Sequence, residues 1–372
     1  MMDFKCVPSL EYLTGVKIGV AIIHNPDVTN LALDPRCDFD QEILKEVFDI
    51  LGDKIQELIL PTECCKKIKI ITMNMIQELL TWRRCHLDNI SPSQISMTYF
   101  CWTTIGAIDE LKTARKFLNG LYLDIVSQFR LACDYCFFYD VSTIWEAMSE
   151  EEKQTSNNGT FLDSWIRDCR EGSRSLESFI RWIEPKLADC NKYTLLFILD
   201  KKTPAERIRI LRTAALSEDF SREFRIFCFQ QLDEDAQQEV LEKVPVEVLR
   251  CFLRWPFQSF FLHLADRIWT NISPADFCDI IHNILCRLVL FLWQNFELVE
   301  ILQQLWHRSP SNFKDYANQS SFSEVLNILL NCNCAESLNI YRLNESFLNH
   351  LRSPHRLAES PVVFFDMDPV ER

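Results

Sequence analysis

The side chains of this chain that could do chemistry are, first of all, its 16 cysteines and seven histidines. Cys133 and Cys136 have the Cys-x-x-Cys spacing of a redox pair. Such a pair is reactive when it lies at a helix N-terminus after a strand, where the thiol pKa falls. Here it lies inside a helical apolar pattern that includes Phe129 and Leu131. The pattern therefore predicts that both thiols pack in a core and do no redox chemistry.

A zinc site is the second chemical possibility. Cys332 and Cys334 lie close together, and His307 and His350 are the nearest histidines. A structural zinc ion takes four ligands, and paired cysteines usually have at least two residues between them. One residue separates this pair, so we predict no metal site. The sequence also has no Gly-rich phosphate loop, no His-Glu-x-x-His and no Gly-x-Ser-x-Gly. We predict no catalytic, cofactor-binding or metal-binding residues and a non-enzymatic protein.

The apolar run 362–365, Val-Val-Phe-Phe, is followed by Asp366 and Asp368. This arrangement resembles the nucleophile strand of haloacid-dehalogenase-type phosphatases, in which the first aspartate attacks phosphorus and the second is the acid/base. In that family the motif opens a doubly wound domain, whereas two residues follow Val370 in this sequence. We therefore expect no such domain, and we interpret 362–365 as a tail that docks on this protein or on a partner.

The elements that must position these residues are predicted to be helices. The chain has 372 residues, of which 48% are hydrophobic and 25% charged, as is normal for a soluble globular protein. Only seven residues are glycine, although nucleotide-binding α/β folds and hairpin-rich β folds need glycine at their turns. This composition predicts an all-α fold, and 27 phenylalanines with nine tryptophans predict an aromatic core.

Four positions share one helix-start design, a serine or threonine followed by proline: Ser91, Thr203, Ser273 and Ser309. The hydroxyl caps the helix and proline fits its first position, which is also the place predicted for Pro256. Ser273 and Ser309 lie 36 residues apart, about the length of a helix pair in known helical repeats. The pattern predicts stacked antiparallel helix pairs in a degenerate, α-solenoid-like array, with an irregular helical domain as the alternative.

Apolar spacing predicts several individual helices in the N-terminal half. Asp38 is expected to cap a helix that reaches Ile59, and a second helix is expected over 63–84. A third is predicted from Ser91 to Gly120, followed by a helix pair over 121–152 with its turn near Tyr139 and Asp140. The apolar segment 193–199 has strand-like composition, but its helical flanks favour a buried helix.

Polar gaps divide the chain into four predicted segments. Residues 1–153 form an N-terminal helical region, and the sequence Gln-Thr-Ser-Asn-Asn-Gly-Thr at 154–160 is a polar loop. Residues 161–352 form a C-terminal helical-repeat-like region. Residues 353–372 contain three prolines and form a tail.

Charge and apolar patterning limit the possible partners and the compartment. A net charge of −14 disfavours binding to nucleic-acid phosphates. No stretch reaches the 18 or more apolar residues of a membrane span, and the start at Met1 lacks the pattern of a signal peptide. We therefore expect a cytoplasmic protein with reduced thiols, several of them buried on apolar stripes, as at Cys228, Cys251 and Cys278.

Helical arrays bind proteins and peptides along their surfaces, so we predict an intracellular interaction scaffold with an unknown protein partner. The alternative is a substrate adaptor that uses residues 8–24. Its opening, Pro8-x-Leu10-x-x-Leu13, resembles the start of box motifs that dock ubiquitin-ligase scaffolds. A second alternative is an enzyme with an unfamiliar all-α site, which would need a deep pocket with convergent polar groups.

Overall fold

The computed structural model describes residues 9–38, 40–86, 90–91, 94–120, 123–156, 192–217, 220, 222–332, 343 and 347. Within these ranges the chain forms 18 α-helices and two short 3-10 helices, and its β-structure is one isolated bridge between Trp102 and Ile108. The all-α fold is therefore confirmed.

The described residues fall into two compact units that divide at Ser221. The predicted polar loop 154–160 begins inside a helix, because Gln154 and Thr155 are its last residues. Residues 157–160 and the tail 353–372 lie outside the described part, so a boundary at 154–160 stays a prediction.

The N-terminal unit opens with four helices, α1 (Leu10–Ile23), α2 (Pro26–Ala32), α3 (Gln41–Gln56) and α4 (Thr62–Cys85). Helix α4 is the centre of this group and packs against both α1 and α3. Helix α3 starts later than predicted, because Asp40 and not Asp38 is its cap. Asp38 instead ends a 3-10 helix that begins at Pro35.

Two glycines on α1 allow a close approach to α4. A Cβ atom on Gly15 would lie 2.8 Å from Ile71 Cδ1. A Cβ atom on Gly19 would lie 2.9 Å from Thr72 Oγ1 and 3.0 Å from Met75 Sδ. Because Gly15 and Gly19 are four residues apart, they form one face of α1 without side chains.

The long helix predicted from Ser91 to Gly120 is wrong for the described residues before Glu110. Residues Met97–Tyr99 form a 3-10 helix, and the loop after them turns at Gly106, whose φ is 84°. The α-helix of this segment is α5 (Glu110–Asn119), capped by Asp109. Glycine tolerates the left-handed conformation of that turn, and the β-branched residues before it disfavour a helix.

The rest of the unit contains α6 (Ile125–Asp134), α7 (Phe138–Ala147), α8 (Glu150–Thr155), α9 (Lys192–Asp200) and α10 (Pro204–Leu216). Helix α9 confirms the buried helix predicted over 193–199, and Thr203 caps α10 as predicted. The turn of the predicted pair lies at residues 135–137, before α7, and not near Tyr139 and Asp140. Cys136 has a φ of 53° in this turn.

The C-terminal unit contains eight helices in its described part: α11 (Arg222–Gln231), α12 (Glu234–Lys243), α13 (Pro245–Phe252), α14 (Gln258–Ala265), α15 (Pro274–Leu290), α16 (Phe296–Arg308), α17 (Ser311–Ala317) and α18 (Ser323–Leu330). Helix α15 packs on both α13 and α17, while α16 packs on both α14 and α18. Alternate helices therefore contact each other, as they do in stacked helix pairs. The pairs differ in length, because the first helices of successive pairs, α11, α13, α15 and α17, begin 23, 29 and 37 residues apart.

Two helix starts that resemble each other in sequence, at Ser273 and Ser309, differ in structure. Ser273 forms a capping box with Asp276, as its pattern predicts. Ser309 instead donates from its hydroxyl to the Trp306 carbonyl at 2.8 Å, and α17 begins only after Pro310. Pro256 is likewise not in a first helical position, because it belongs to the turn that precedes α14.

A different helix start recurs, and the sequence reading did not notice it. Helices α6 and α12 both begin with Leu-Asp-x-x-x-Gln, and in both the aspartate is the cap. The glutamine side chain then donates to the leucine carbonyl, at 2.8 Å from Gln128 to Leu123 and at 3.0 Å from Gln237 to Leu232. This bond holds the preceding segment against the first turn of the helix.

Candidate functional site

The N-terminal unit contains a buried group of side chains with catalytic residue types. Trp82 lies on α4, His86 is the C-cap of that helix four residues later, and Tyr135 follows α6. The Tyr135 hydroxyl lies 3.1 Å from Trp82 Nε1 and 2.9 Å from His86 Nε2. His86 Nδ1 lies 2.7 Å from the Trp82 carbonyl oxygen. Since a carbonyl only accepts, Nδ1 carries the proton, and Nε2 accepts from the Tyr135 hydroxyl.

The same group extends towards α5 and α9. The Tyr193 ring lies 4.8 Å from that of Tyr135, and its hydroxyl donates to Glu110 at 2.9 Å. Glu110 also forms an ion pair with Lys192. Burial, followed by the charge of Glu110, raises the pKa of both tyrosines well above the ordinary phenol range.

Tyr135 and His86 form the buried part of this group, and Tyr135 is 4% exposed and His86 8% exposed. Glu110 and Lys192 are partly exposed. The Tyr135 hydroxyl is already occupied as an acceptor from Trp82 and as a donor to His86. Fully connected buried networks of this kind rigidify a core. The sequence reading missed the group because its members come from four separate helices and turns.

Of the Cys-x-x-Cys pair, Cys133 is buried as predicted, whereas Cys136 lies in the turn after α6 and is half-buried. Cys133 is buried with Phe129 and Trp145 in the cluster between α6 and α7. Cys136 Sγ lies 3.0 Å from Thr194 Oγ1, and burial raises the pKa of this thiol to about 11. A redox pair needs the opposite shift, because the thiolate is the reactive species. Buried positions are also confirmed for the cysteines at 228, 251 and 278.

The residues weighed as zinc ligands are only partly described. His307 and Cys332 line one pocket, while Cys334 and His350 lie outside the described residues. Across the described ranges, no three His, Cys, Asp or Glu side chains come together in a group that could hold a metal ion.

That pocket is an open concavity of about 720 Å³ in the C-terminal unit. Helices α16 and α18 each contribute residues three and four positions apart, and α17 with its C-cap contributes a pair four apart, so every helix presents one face. The lining residues are Gln303, Trp306, His307, Lys314, Asn318, Asn327, Leu330, Asn331 and Cys332.

Some of the amide side chains around this pocket are hydrogen-bonded within the protein, and others are not bonded to any described residue. The Gln303 amide donates to the carbonyls of Leu329 and Cys332, at 2.9 and 3.2 Å, and so ties α16 to the end of α18. Among the described residues, the carboxamides of Asn318 and Asn327 have no hydrogen-bond partner. The pocket therefore has a rigid base and amide groups that are available to a ligand.

Residues 66–69 contain three lysines, and two of them pair with neighbouring acids. Lys66 forms an ion pair with Glu63 at 2.9 Å, and Lys67 forms one with Glu11 at the same distance. These pairs offset the positive charge of two of the three lysines.

Helix α1, which covers most of the predicted adaptor segment 8–24, is part of the core. Val16, Ile22 and Ile23 are buried, while Leu10 at its start is 80% exposed. Ser9 caps the helix by accepting from Tyr12 N at 3.1 Å. These three apolar residues of the segment are therefore already used within the fold.

Among the helices described above, none combines the length and the apolar character that crossing a membrane requires. Comparison with protein-family models, with curated proteins and with solved structures finds no match to this chain.

Proposed function

We propose that this chain is a non-enzymatic scaffold in the cytoplasm that binds a segment of a partner protein on its helical surface. The observation that supports the proposal is the open pocket of α16, α17 and α18. Two of its carboxamides, those of Asn318 and Asn327, have no partner among the described residues.

A carboxamide matches a peptide group, because each has a carbonyl acceptor and an N–H donor. Carboxamides on neighbouring helices can therefore bind the backbone of an extended segment whatever its side chains are. The base held by Gln303 keeps α16 and α18 at a constant separation, which reduces the entropy lost on binding. An open pocket can take in an extended segment of a partner chain.

The test is affinity purification of the tagged full-length chain from its own cells, followed by mass spectrometry. The double variant Asn318→Ala/Asn327→Ala is compared with Asn271→Ala, which removes an exposed asparagine outside the pocket. We expect a stoichiometric partner with the wild type and with the control, and its loss from the double variant. A partner that the double variant retains, or a preparation with no partner, would overturn the proposal.

The adaptor alternative finds one supporting observation, the exposure of Leu10 at the start of α1. Deletion of 8–24 would remove buried residues as well as the exposed ones, so a point variant is the cleaner test. Loss of ligase-scaffold binding in Leu10→Glu, with an unchanged circular dichroism spectrum, would favour the adaptor over the pocket.

A further inference from the structure

The geometry points to an acidic peptide segment as the ligand of the α16–α18 pocket, with Lys314 as the residue that selects it. This inference rests on the proposed function and adds the chemical class of the ligand. It would make the pocket specific for carboxylate-bearing segments, because the carboxamides alone bind any backbone.

The first observation is the sign of the charge at the pocket. The chain carries 53 acidic against 39 basic residues, yet none of the nine described residues that line the pocket is acidic. Lys314 is half-buried there, and His307 lies beside it. The pocket is therefore locally positive within a strongly acidic protein.

The second observation is that Lys314 has no carboxylate partner in the described part of the chain. Its ammonium group donates to the His307 carbonyl at 3.3 Å, which occupies one of its three N–H groups. Arg308, the nearest cation in sequence, behaves differently and pairs with Asp266 at 2.8 Å. Lys314 is therefore a half-buried cation whose remaining N–H groups could donate to a carboxylate of the ligand.

The positions of the groups define how such a segment would lie. Lys314 and Asn318 are four residues apart and share one face of α17 and its cap, so a carboxylate and an adjacent peptide group can be bound together. Trp306 on α16 adds an aromatic surface, which packs on Phe277 at a centroid distance of 6.2 Å and is thereby held in place. The charge of Lys314 would select an acidic segment, and the carboxamides would align the backbone of that segment in the pocket.

The experiment pans a random peptide library on the purified full-length chain and sequences the bound peptides. We expect enrichment of Asp and Glu. Lys314→Gln is expected to weaken binding of a selected acidic peptide by about fivefold, and Lys314→Glu to shift the enrichment towards Lys and Arg. Lys243→Glu is the matched control, because Lys243 is an exposed lysine on α12, paired with Glu239.

Three results are distinguishable. Peptides that bind without acidic enrichment, and with equal affinity for Lys314→Gln, would overturn this inference and leave the proposed function standing. A library that yields no peptide sensitive to Asn318→Ala/Asn327→Ala would overturn both. Loss of acidic enrichment in Lys314→Glu but not in the Lys243→Glu control, with matching thermal unfolding of both variants, would support the inference.

Discussion

Three helical glycines of the N-terminal unit offer a quantitative test of its packing. Alanine at Gly52 of α3 would place its Cβ atom 3.5 Å from Lys69 Nζ, which is an ordinary contact. At Gly15 the nearest atom is the flexible end of Ile71, at 2.8 Å. At Gly19 the nearest atom is Thr72 Oγ1, at 2.9 Å.

The expected change in the free energy of unfolding depends on whether the side chain nearest to each new Cβ atom can move away. Alanine in place of glycine stabilises a helix by about 1 kcal/mol, so Gly52→Ala should raise the free energy of unfolding by roughly that amount. Rotation of Ile71 costs about 0.5–1.5 kcal/mol, so Gly15→Ala should be near neutral. Thr72 is buried, β-branched and bonded to the Ile68 carbonyl at 2.8 Å, so it cannot move away.

For Gly19→Ala, overpacking of about 1–3 kcal/mol therefore outweighs the gain in helix propensity. We expect a net destabilisation of about 1 kcal/mol. Urea unfolding followed by circular dichroism measures all three variants, and since the three glycines lie in one compact unit, one transition reports on them.

The refuting result is a Gly19→Ala variant as stable as Gly52→Ala, which would mean that α1 and α4 lie farther apart. A double variant separates overpacking from other causes. In Gly19→Ala/Thr72→Ala the obstructing hydroxyl is gone, so the double variant should be more stable than the sum of the single effects predicts, by about 1 kcal/mol.

Three further predictions concern single positions. Ile59 is 94% exposed with a φ of 51°, so Ile59→Gly should stabilise the chain by about 1 kcal/mol in urea unfolding, and a loss of stability would contradict this. Tyr135→Phe removes the acceptor of the Trp82 N–H and should cost about 1–3 kcal/mol; an unchanged unfolding midpoint would refute the network. Burial raises the pKa of Cys228 to about 12 from the ordinary 9.0. The stability that depends on the neutral thiol is therefore complete below pH 9 and lost as pH rises towards 12, so the wild type should lose stability more steeply there than Cys228→Ala.

Local sequence patterns predicted a helix start correctly where the capping hydroxyl accepts a hydrogen bond from the helix that follows it. Thr203 and Ser273 each receive an N–H of the third helical residue, and both starts were predicted. Ser309 has the same local sequence, but its hydroxyl bonds back to the helix that ends there. A serine between two helices can serve either one, and the choice depends on tertiary packing that a local pattern does not contain.

The candidate pocket was harder to predict than the helices. Four of its nine described lining residues are neutral amides, which carry no catalytic or metal-binding signature, and the lining comes from three helices. A usable signal was the polar spacing on α18, where Asn327 and Asn331 lie four residues apart beside a buried apolar face. The spatial meeting of these residues with Lys314 depends on how alternate helices stack, which single-sequence periodicity does not define.

Because Asn318 lines the pocket, the proposed peptide binding would depend on whether the chain is made in a compartment where Asn318 is glycosylated. Asn318-Gln319-Ser320 is an acceptor sequence for N-linked glycans. A glycan would be attached to a carboxamide that lines the pocket, and it would replace one of the two N–H donors of that group. Under the binding mode proposed above, glycosylation at Asn318 would therefore compete with a peptide for this group, and a chain glycosylated in the secretory pathway would lose it for binding.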